Sequence, residues 1–558
     1  MSGGWLWTAI VLPLVLAGAT VTDRRGRWAV LALPVAAVPA LAVALGGGAS
    51  TRADWLLLEV ALSSDPLARV FLAGAALLWI AAGMAAHGTL TPPRRRFAAL
   101  GLLALGANVT LVLAADAVTF YAGFAVMTFA AYGLVVHDGT AFAHRAGRAY
   151  LVMSVLGEMA LLAGVLLAVH VAGTAMLDAL PAAVAGSEHR GPIVGLLLVG
   201  LGVKAGLAGL HMWLPLAHPA APAAASALLS GAMIKAGLLG WLRLLPLGEA
   251  AMTGAGGALV GLGLVGVFGA VAVGLTQRAP KVNLAYSSVS QIGLAVTVVG
   301  LAIAEPAVAP AARSATAVFA LHHGMAKGAL FLIVGTLRGR AALAGTALAA
   351  AALAGAPLTS GFAAKALFKD VAEAAGPLGA AVVAALPWTS VATALLMARL
   401  LWLQVQRAPL PLTRWSWVGS ALALAGALTA TWGLPAARAA GVAGIDPGAA
   451  SALGEATWPL LVAAVPVALA LLRPVRVPEL PAGDVLRLVT PITSAAWNRR
   501  ASVLPPGPAA TGRRPALPRP VKAALADATA AEAAMTRWQG AGAVLAVVLV
   551  VLLWAVAR

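Results

Sequence analysis

The chain has 558 residues, of which 61% are hydrophobic and only 10% are charged, and its mean hydropathy is +0.94. These values exclude an ordinary soluble domain and indicate a polytopic membrane protein. A formal net charge of +18 would suggest nucleic-acid binding in a soluble protein, but the basic residues cluster between apolar runs, so membrane topology explains them. The chain has no cysteine, which excludes disulfides, thiolate nucleophiles, cysteine-bound iron–sulfur clusters and thiolate zinc sites.

The apolar runs predict an all-α fold with about 14 to 16 transmembrane helices, since each crossing needs about 20 apolar residues. The first run lacks a basic leader and is followed by Asp23 and three arginines, which favours a retained spanning helix over a cleaved signal peptide. The sixteen predicted segments are 4–21, 28–47, 64–86, 97–115, 117–136, 148–170, 192–210, 222–246, 256–276, 282–303, 314–337, 342–365, 376–404, 415–434, 456–473 and 539–557.

Lysine and arginine are concentrated in every second loop, which predicts the orientation of the chain. The richer loops are expected to be cytoplasmic, with the N-terminus outside and the protein in the inner (cytoplasmic) membrane. They contain Arg24, Arg25, Arg27, Arg94, Arg95, Arg96, Arg145, Arg148, Arg278, Lys281, Arg338, Arg340, Arg407 and Arg414, whereas the opposite loops contain mainly Arg52, Arg190, Arg313 and Arg438.

Residues 474–538 differ from the rest because they are rich in arginine and proline. Proline prevents one continuous helix there, so the segment is predicted to be a cytoplasmic connector to a terminal helix at 539–558. A surface-lying piece near 484–500 and a plain solvated loop are both open interpretations.

Two lysines, Lys204 and Lys235, lie inside otherwise apolar runs. An ammonium group at membrane depth costs about 2.5–3.5 kcal/mol on insertion scales, so it usually faces a protein interior or a water path. A lysine desolvated among helices can exchange its proton near neutrality, which suits a relay. The alternative is a snorkelling or salt-bridged structural lysine.

Between these lysines the run HMWLPLAHPAAP contains His211 and His218 together with Pro219 and Pro222. Such a run breaks a helix, and breaks at membrane depth tend to line cavities. A zinc site is disfavoured because no carboxylate or third histidine accompanies the pair at ligand spacing.

The second half of the chain repeats this pattern. His323 and Lys327 are four residues apart and share a helix face, whereas His322 points elsewhere and is expected to be a helix-contact residue. Lys365 follows Pro357 and is again a charge beside a predicted helix break.

Few acidic or hydroxyl groups accompany these cations. Glu158, in the middle of its segment, is the carboxylate best placed to pair with a lysine, and Asp65 is predicted to cap a helix. Tyr286 and Ser290 are candidates for holding water, although such hydroxyls more often bond backbone carbonyls.

The runs LHMWLPLAHPAAPAAASALLSGAMIKAG, LAYSSVSQIG, HHGMAKGALFLIVG and PLTSGFAAK, in this order, resemble the antiporter-like proton-channel subunits of respiratory complex I, Mrp antiporters and group 4 membrane hydrogenases. The residues AHPAAP are most similar to the corresponding motif in the large membrane subunit of hydrogenase-4 and formate hydrogenlyase. The resemblance implies two inverted five-helix repeats, each with a broken helix. The implied organisation is 1–96 N-terminal helices, 97–246 first repeat, 256–404 second repeat, 405–473 peripheral C-terminal helices, 474–538 connector and 539–558 terminal helix.

The resemblance also implies a proton relay through Lys204, Lys235, His323, Lys327 and Lys365. The family usually has a glutamate in the fifth helix, where this chain has Ala125. Glu158, one helix later, is the predicted substitute. Coupling of the first half-channel therefore depends on whether Glu158 reaches Lys204.

The expected function is therefore a proton-translocating membrane subunit of a complex I- or hydrogenase-type oxidoreductase complex, without redox chemistry of its own. No cofactor is expected in this chain, so quinone, flavin, iron–sulfur or nickel–iron sites would belong to partner membrane subunits. Two alternatives remain open: a cation/proton antiporter or ion-driven subunit of an inorganic-carbon uptake complex, and a membrane scaffold with degenerate ion sites.

Overall fold

The computed structural model describes residues 3–20, 29–56, 59–90, 94–407, 413–472 and 479–482. Residues Met1–Ala53 and Val60–Asp484 form one compact unit, to which every helix and strand among the described residues belongs. A second unit comprises Asp54–Glu59 and Val485–Arg558, and of it the structure describes only 54–56 and 59.

The main unit is an α-helical bundle with one antiparallel β-hairpin, β1 Ser50–Ala53 and β2 Val60–Ser63. A π-helical turn, Leu229–Met233, joins α10 to α11. The helices are α1 Gly3–Ala19, α2 Ala32–Leu45, α3 Pro66–Thr89, α4 Arg94–Leu113, α5 Ala117–Val135, α6 Ala141–Ala172, α7 Leu180–Gly186, α8 Arg190–Ala205, α9 Leu214–Ala220, α10 Ala223–Leu228, α11 Lys235–Leu244, α12 Thr253–Thr276, α13 Pro280–Ala304, α14 Ala309–Thr336, α15 Arg340–Ala354, α16 Ser360–Glu373, α17 Gly376–Val405, α18 Arg414–Gly433, α19 Pro435–Ala439 and α20 Ala450–Leu472.

The predicted all-α membrane fold is confirmed. Among the described residues, ten helical segments are long and apolar enough to cross a membrane, and three shorter apolar helices accompany them. Fifteen of the sixteen predicted segments coincide with helices, because runs of about 20 apolar residues satisfy their own backbone hydrogen bonds only as helices. The segment at 539–557 and the surface piece near 484–500 lie outside the described residues. The inverted repeats and the domain boundaries stay predictions.

Both predicted helix breaks are present, and each begins at a glycine in the left-handed region. α8 ends before Gly206, and α15 ends before Gly355, both with a φ of 83°. A residue without a Cβ adopts this conformation at no steric cost, which ends the helix. The chain then turns before α9 and α16 begin, so the backbone is broken beside Lys204 and Lys365.

The sequence did not predict the hairpin or the short helix α7. Asp116 explains where the hairpin is attached, because its carboxylate accepts hydrogen bonds from the Ala61 amide at 2.9 Å and from the Thr119 amide at 2.7 Å. The predicted cap at Asp65 is confirmed, since its side chain accepts from the Ala68 amide at 2.6 Å. These carboxylates start α5 and α3 respectively.

The connections between helices gather on two faces. On the hairpin face, backbone bridges link Leu62 to Ala114 and Asp116 to Met176. On the opposite, basic face, Lys281 interacts electrostatically with Asp138 and Arg407, and Arg407 with Arg338. The loops predicted to alternate between the two sides therefore do so at these positions.

The first break gives a test of the fold. Gly206→Ala is expected to lower stability by about 1–2 kcal/mol, because alanine is strained at positive φ and its Cβ would lie 2.5 Å from Leu214 Cδ1. Gly254→Ala is the matched control, since an added Cβ at that helical glycine would meet nothing within 4 Å. The thermal unfolding midpoint of the purified protein in detergent should fall for Gly206→Ala only. Equal midpoints for the two variants would contradict this description of the break.

Candidate functional site: a buried row of lysines and histidines

Lys204 lies in the last turn of α8, beside the first break, and is 3% exposed. Its ammonium donates hydrogen bonds to Thr128 Oγ1 at 2.7 Å and to Tyr150 OH at 3.2 Å. It also lies 5.4 Å from the centre of the Phe124 ring, a cation–π distance. Thr128 and Phe124 belong to α5 and Tyr150 to α6, so three helices form this pocket.

Glu158 on α6 faces the same pocket but does not touch the lysine. The two groups attract each other electrostatically, and Thr128 also interacts with the carboxyl group, yet they form no ion pair within 4.0 Å. Glu158 is 6% exposed, and its Oε1 has no hydrogen-bond partner among the described residues. Thr128, three residues after Ala125 on α5, therefore lies between the lysine and the substitute acid.

The residues of the first break are packed against the Lys204 pocket. Trp213 Nε1 donates to the Val203 carbonyl at 2.8 Å, and its ring meets Tyr150 edge-on at 5.0 Å. The His211 ring lies edge-on to Tyr286 with centroids 6.2 Å apart. The break is thus lined by aromatic and polar side chains.

His218 occupies the centre of the bundle. It is fully buried and stacks on Phe331 at 4.5 Å, and neither ring nitrogen has a hydrogen-bond partner among the described residues. It interacts electrostatically with Lys327, Lys281 and Lys235. Pro222 precedes α10 and lies in the predicted break, whereas Pro219 lies inside the short helix α9.

A chain of polar contacts joins Lys235 to Lys327 across three helices. Lys235 donates to the Ser230 carbonyl, and Ser230 Oγ lies 2.8 Å from Ser288 Oγ. Ser288 donates to the Leu284 carbonyl at 3.1 Å, and Lys327 donates to the same carbonyl at 2.8 Å. Both lysines are almost fully buried.

The π-helical turn explains how Ser230 reaches this position. The turn covers Leu229–Met233, directly before Lys235, and π-turns frequently occur at functional sites. Gly231 in the turn packs closely on Gly324 of α14, where an added Cβ would lie 2.5 Å from the Gly231 carbonyl oxygen. This approach brings Lys235 close to the face of α14 that contains Lys327.

Two neighbouring histidines on α14 face different partners. His323 stacks on Phe319 with centroids 5.4 Å apart and interacts electrostatically with Lys235 and Lys327. His322 Nδ1 lies 2.7 Å from Ser360 Oγ at the start of α16. His322 is therefore a helix-contact residue, as predicted, and its contact is with the helix that contains Lys365.

Lys365 lies at the second break. Its ammonium donates to the Ala354 carbonyl at 2.9 Å, at the end of α15, and to Ser390 Oγ of α17 at 2.5 Å. The side chain lines a cleft of about 450 Å³ that Asp370 and Glu455 also line. Lys365 therefore reaches a cleft.

The buried row is centred on Lys235, which interacts electrostatically with Lys327 and with His218, His322 and His323. Lys365 joins this group through His322, whereas Lys204 interacts with Glu158 beside the first break. Ser290 is buried. The serine that contacts the π-helical turn before Lys235 is Ser288, through Ser230. Sequence reasoning missed Thr128, Tyr150 and Ser230. A hydroxyl one turn after the missing glutamate was the available signal for Thr128.

The fold, the paired helix breaks and the buried row can now be compared with known proteins. Residues 114–386 match the family described as NADH:quinone oxidoreductase/Mrp antiporter, transmembrane. The resemblance predicted from the motifs is therefore confirmed. A more specific likeness to hydrogenase-4 among these proteins stays a prediction.

The relatives come from the three expected branches. The chain is 28% identical over 298 residues to a Na(+)/H(+) antiporter subunit of Bacillus subtilis, covering 52% of this chain and 58% of that protein. It is 31% identical over 235 residues to an NADH-quinone oxidoreductase subunit of Acidiphilium cryptum, covering 40% and 47%. It is 26% identical over 244 residues to a hydrogenase-4 component of Escherichia coli, covering 42% and 36%. The matches thus span about half the length of these relatives.

The fold has a solved counterpart. A chain in the structure of the Mrp complex from Dietzia sp. DQ12-45-1b matches with a TM-score of 0.69 and 24% identity, covering 95% of this chain and 62% of that chain. At this identity the likeness concerns the fold. The family match and the apolar helices together support a multi-pass membrane protein.

Proposed function

We propose that this chain is a proton-translocating, antiporter-like membrane subunit of a complex I- or hydrogenase-type oxidoreductase complex. The observation that supports this most strongly is the buried contact chain from Lys235 through Ser230 and Ser288 to Lys327. Ammonium groups without counter-ions are costly at membrane depth and mark ion or proton paths.

The chemistry of the row suits proton transfer. Lys204 would exchange a proton with Glu158 through Thr128 or water, because the two groups attract each other without direct contact. Lys235 and Lys327 repel each other when both are charged, so a proton arriving at one favours release from the other. Lys365 would then release it into the cleft that it lines.

The energy would come from partner subunits. The chain has no cysteine, so cysteine-ligated iron–sulfur and nickel–iron sites belong to the partners, and this proposal places quinone and flavin sites there as well. A change of charge at one end of the row would shift the proton affinity of the next lysine. We place the protein in the inner membrane with the basic face in the cytoplasm and the N-terminus outside, because cytoplasmic loops are enriched in lysine and arginine.

A second candidate is a cation/proton antiporter, or the ion-driven subunit of an inorganic-carbon uptake complex. It is favoured by the similarity to the Na(+)/H(+) antiporter subunit of Bacillus subtilis. The cleft at Lys365 is also lined by Asp370, whose carboxylate would suit a hard cation, because such cations prefer oxygen ligands. Proton flux that depends on a sodium gradient, in the absence of an electron donor, would identify this candidate.

The role of Glu158 can be tested by Glu158→Gln. The amide keeps the shape of the side chain but removes its charge and its ability to carry a proton, so proton flux in vesicles is expected to fall by about tenfold or more. Glu188→Gln is the matched control, because Glu188 is exposed on a loop of the hairpin face. Unchanged flux in Glu158→Gln would show that another group takes the place of the fifth-helix acid.

A further inference from the structure

A small cavity is lined in part by Lys235. Its volume is about 20 Å³, and it lies among α3, α4, α11 and α14. Asn108 and Lys235 are the polar side chains among its lining residues. A polar cavity of this size holds one water molecule.

The hydrogen bonding around the cavity is incomplete. Asn108 is 2% exposed, and its Nδ2 contacts Met127 Sδ at 3.5 Å, whereas its Oδ1 has no partner among the described residues. The Lys235 ammonium, which can donate three hydrogen bonds, donates to the Ser230 carbonyl. A water molecule that accepts from Lys235 and donates to Asn108 Oδ1 would satisfy both groups.

Three of these helices, α3, α4 and α11, lead from this cavity to the hairpin face. A cleft of about 780 Å³ opens on that face. Each of the three helices contributes to its lining: Leu67 in the first turn of α3, Ala114 directly after α4, and Leu242 in α11. Along α4, six residues separate Asn108 from Ala114, which is about 9 Å at the helical rise. One helical turn closer to the cleft, each of these helices has an apolar residue that also lines the small cavity: Phe71, Val112 and Leu239.

The cleft contains groups that can receive a proton. Arg243 is ion-paired with Asp65 at 3.2 Å, and its side chain is 8% exposed, so this charge is partly neutralised. Asp178 and Glu249 also line the cleft. Carboxylates beside a water-filled cleft are suitable proton acceptors.

We propose that a water molecule bound between Lys235 and Asn108 begins a second proton outlet, which leads from Lys235 to the hairpin-face cleft without passing through Lys365. This rests on the proposed function. A Lys235 N–H bond breaks as an O–H bond forms on the water, and the hydronium ion passes a proton toward the cleft. The neutral amine then regains a proton from the relay. Phe71, Val112 and Leu239 close the outlet in this conformation.

The water site itself can be tested without measuring transport. A high-resolution cryo-electron microscopy structure of the native complex should show density within about 3 Å of both Lys235 Nζ and Asn108 Oδ1. The same density should be absent in Asn108→Leu, which replaces the amide by an apolar side chain of similar size. An empty cavity in the wild-type complex would overturn the proposal.

The outlet at the hairpin face can be tested in a variant that lacks Lys365, on which the other route depends. In vesicles containing the native complex, Lys365→Met should leave a measurable part of the proton flux, and Asn108→Leu added to it should reduce the remainder about tenfold. Thr110→Val is the control on the same helix, because Thr110 is partly exposed and bonds the Gly106 carbonyl of its own helix. Complete loss of flux in Lys365→Met alone, with an active wild type, overturns the outlet and leaves the proposed function standing. Absence of flux in the wild type overturns both.

Discussion

Lys235→Met is expected to reduce proton movement by about tenfold or more while leaving the protein at least as stable as the wild type. Lys235 lies at the junction of the contact chain to Lys327 and the cavity at Asn108, so its loss interrupts both outlets. Methionine has a similar length and avoids the cost of burying an ammonium group, and replacing buried charges by apolar side chains is often neutral or stabilising. The measurements are the initial rate of a pH-sensitive dye in vesicles and the thermal unfolding midpoint.

Lys369→Met is the matched control for this variant. Lys369 is about one-third exposed, lines the cleft at Lys365 but makes no contact with Lys235 among the described residues, and is ion-paired with Glu455 at 2.6 Å. The same substitution there removes a charge without removing a relay group, and an exposed ion pair contributes little to stability. Equal flux in the two variants would show that Lys235 has a structural role only.

Lys204→Ala is expected to abolish proton pumping and leave assembly intact. Lys204 is the cation that contacts Thr128 and Tyr150 and attracts Glu158, so its removal leaves Glu158 without the group with which it exchanges a proton. The helix ends correctly without it, because the break depends on Gly206. Co-purification with the partner subunits measures assembly, and dye quenching in vesicles measures pumping.

Lys369→Ala provides the corresponding comparison for Lys204→Ala, since both variants lose the same side chain. Pumping at the wild-type rate by a correctly inserted Lys204→Ala protein would remove Lys204 from the relay. A variant that fails to co-purify would instead indicate that the hydrogen bonds to Thr128 and Tyr150 hold α5, α6 and α8 together.

The helices and their breaks could be predicted because the signals are local. An apolar run of spanning length has one way to satisfy its backbone, and glycine or proline beside a charge marks where that pattern stops. The position of Lys204 and Lys365 next to breaks followed from this pattern. The hairpin and α7 lie in connections that are too short to show a periodic pattern of hydrophobic residues, so the sequence does not indicate them.

The contacts within the row depend on which helices meet, and this could not be derived from local patterns. Tyr150 reaches Lys204 across 54 residues of sequence, and Ser230 reaches Ser288 across 58. A π-helical turn adds one residue to a helical turn and changes the face on which Ser230 lies, which an apolar run does not indicate. The family resemblance predicts Glu158 near Lys204, whereas the intervening Thr128 emerges only when α5 is packed against α6 and α8.

The central claim, that this chain moves protons, is tested most directly by the native complex in sealed vesicles containing a pH-sensitive dye. Addition of the complex's electron donor should produce a proton gradient that an uncoupler abolishes and that is absent from complexes lacking this chain. A sodium gradient applied without donor tests the antiporter alternative in the same vesicles. A gradient of equal size in complexes with and without this chain would contradict the account.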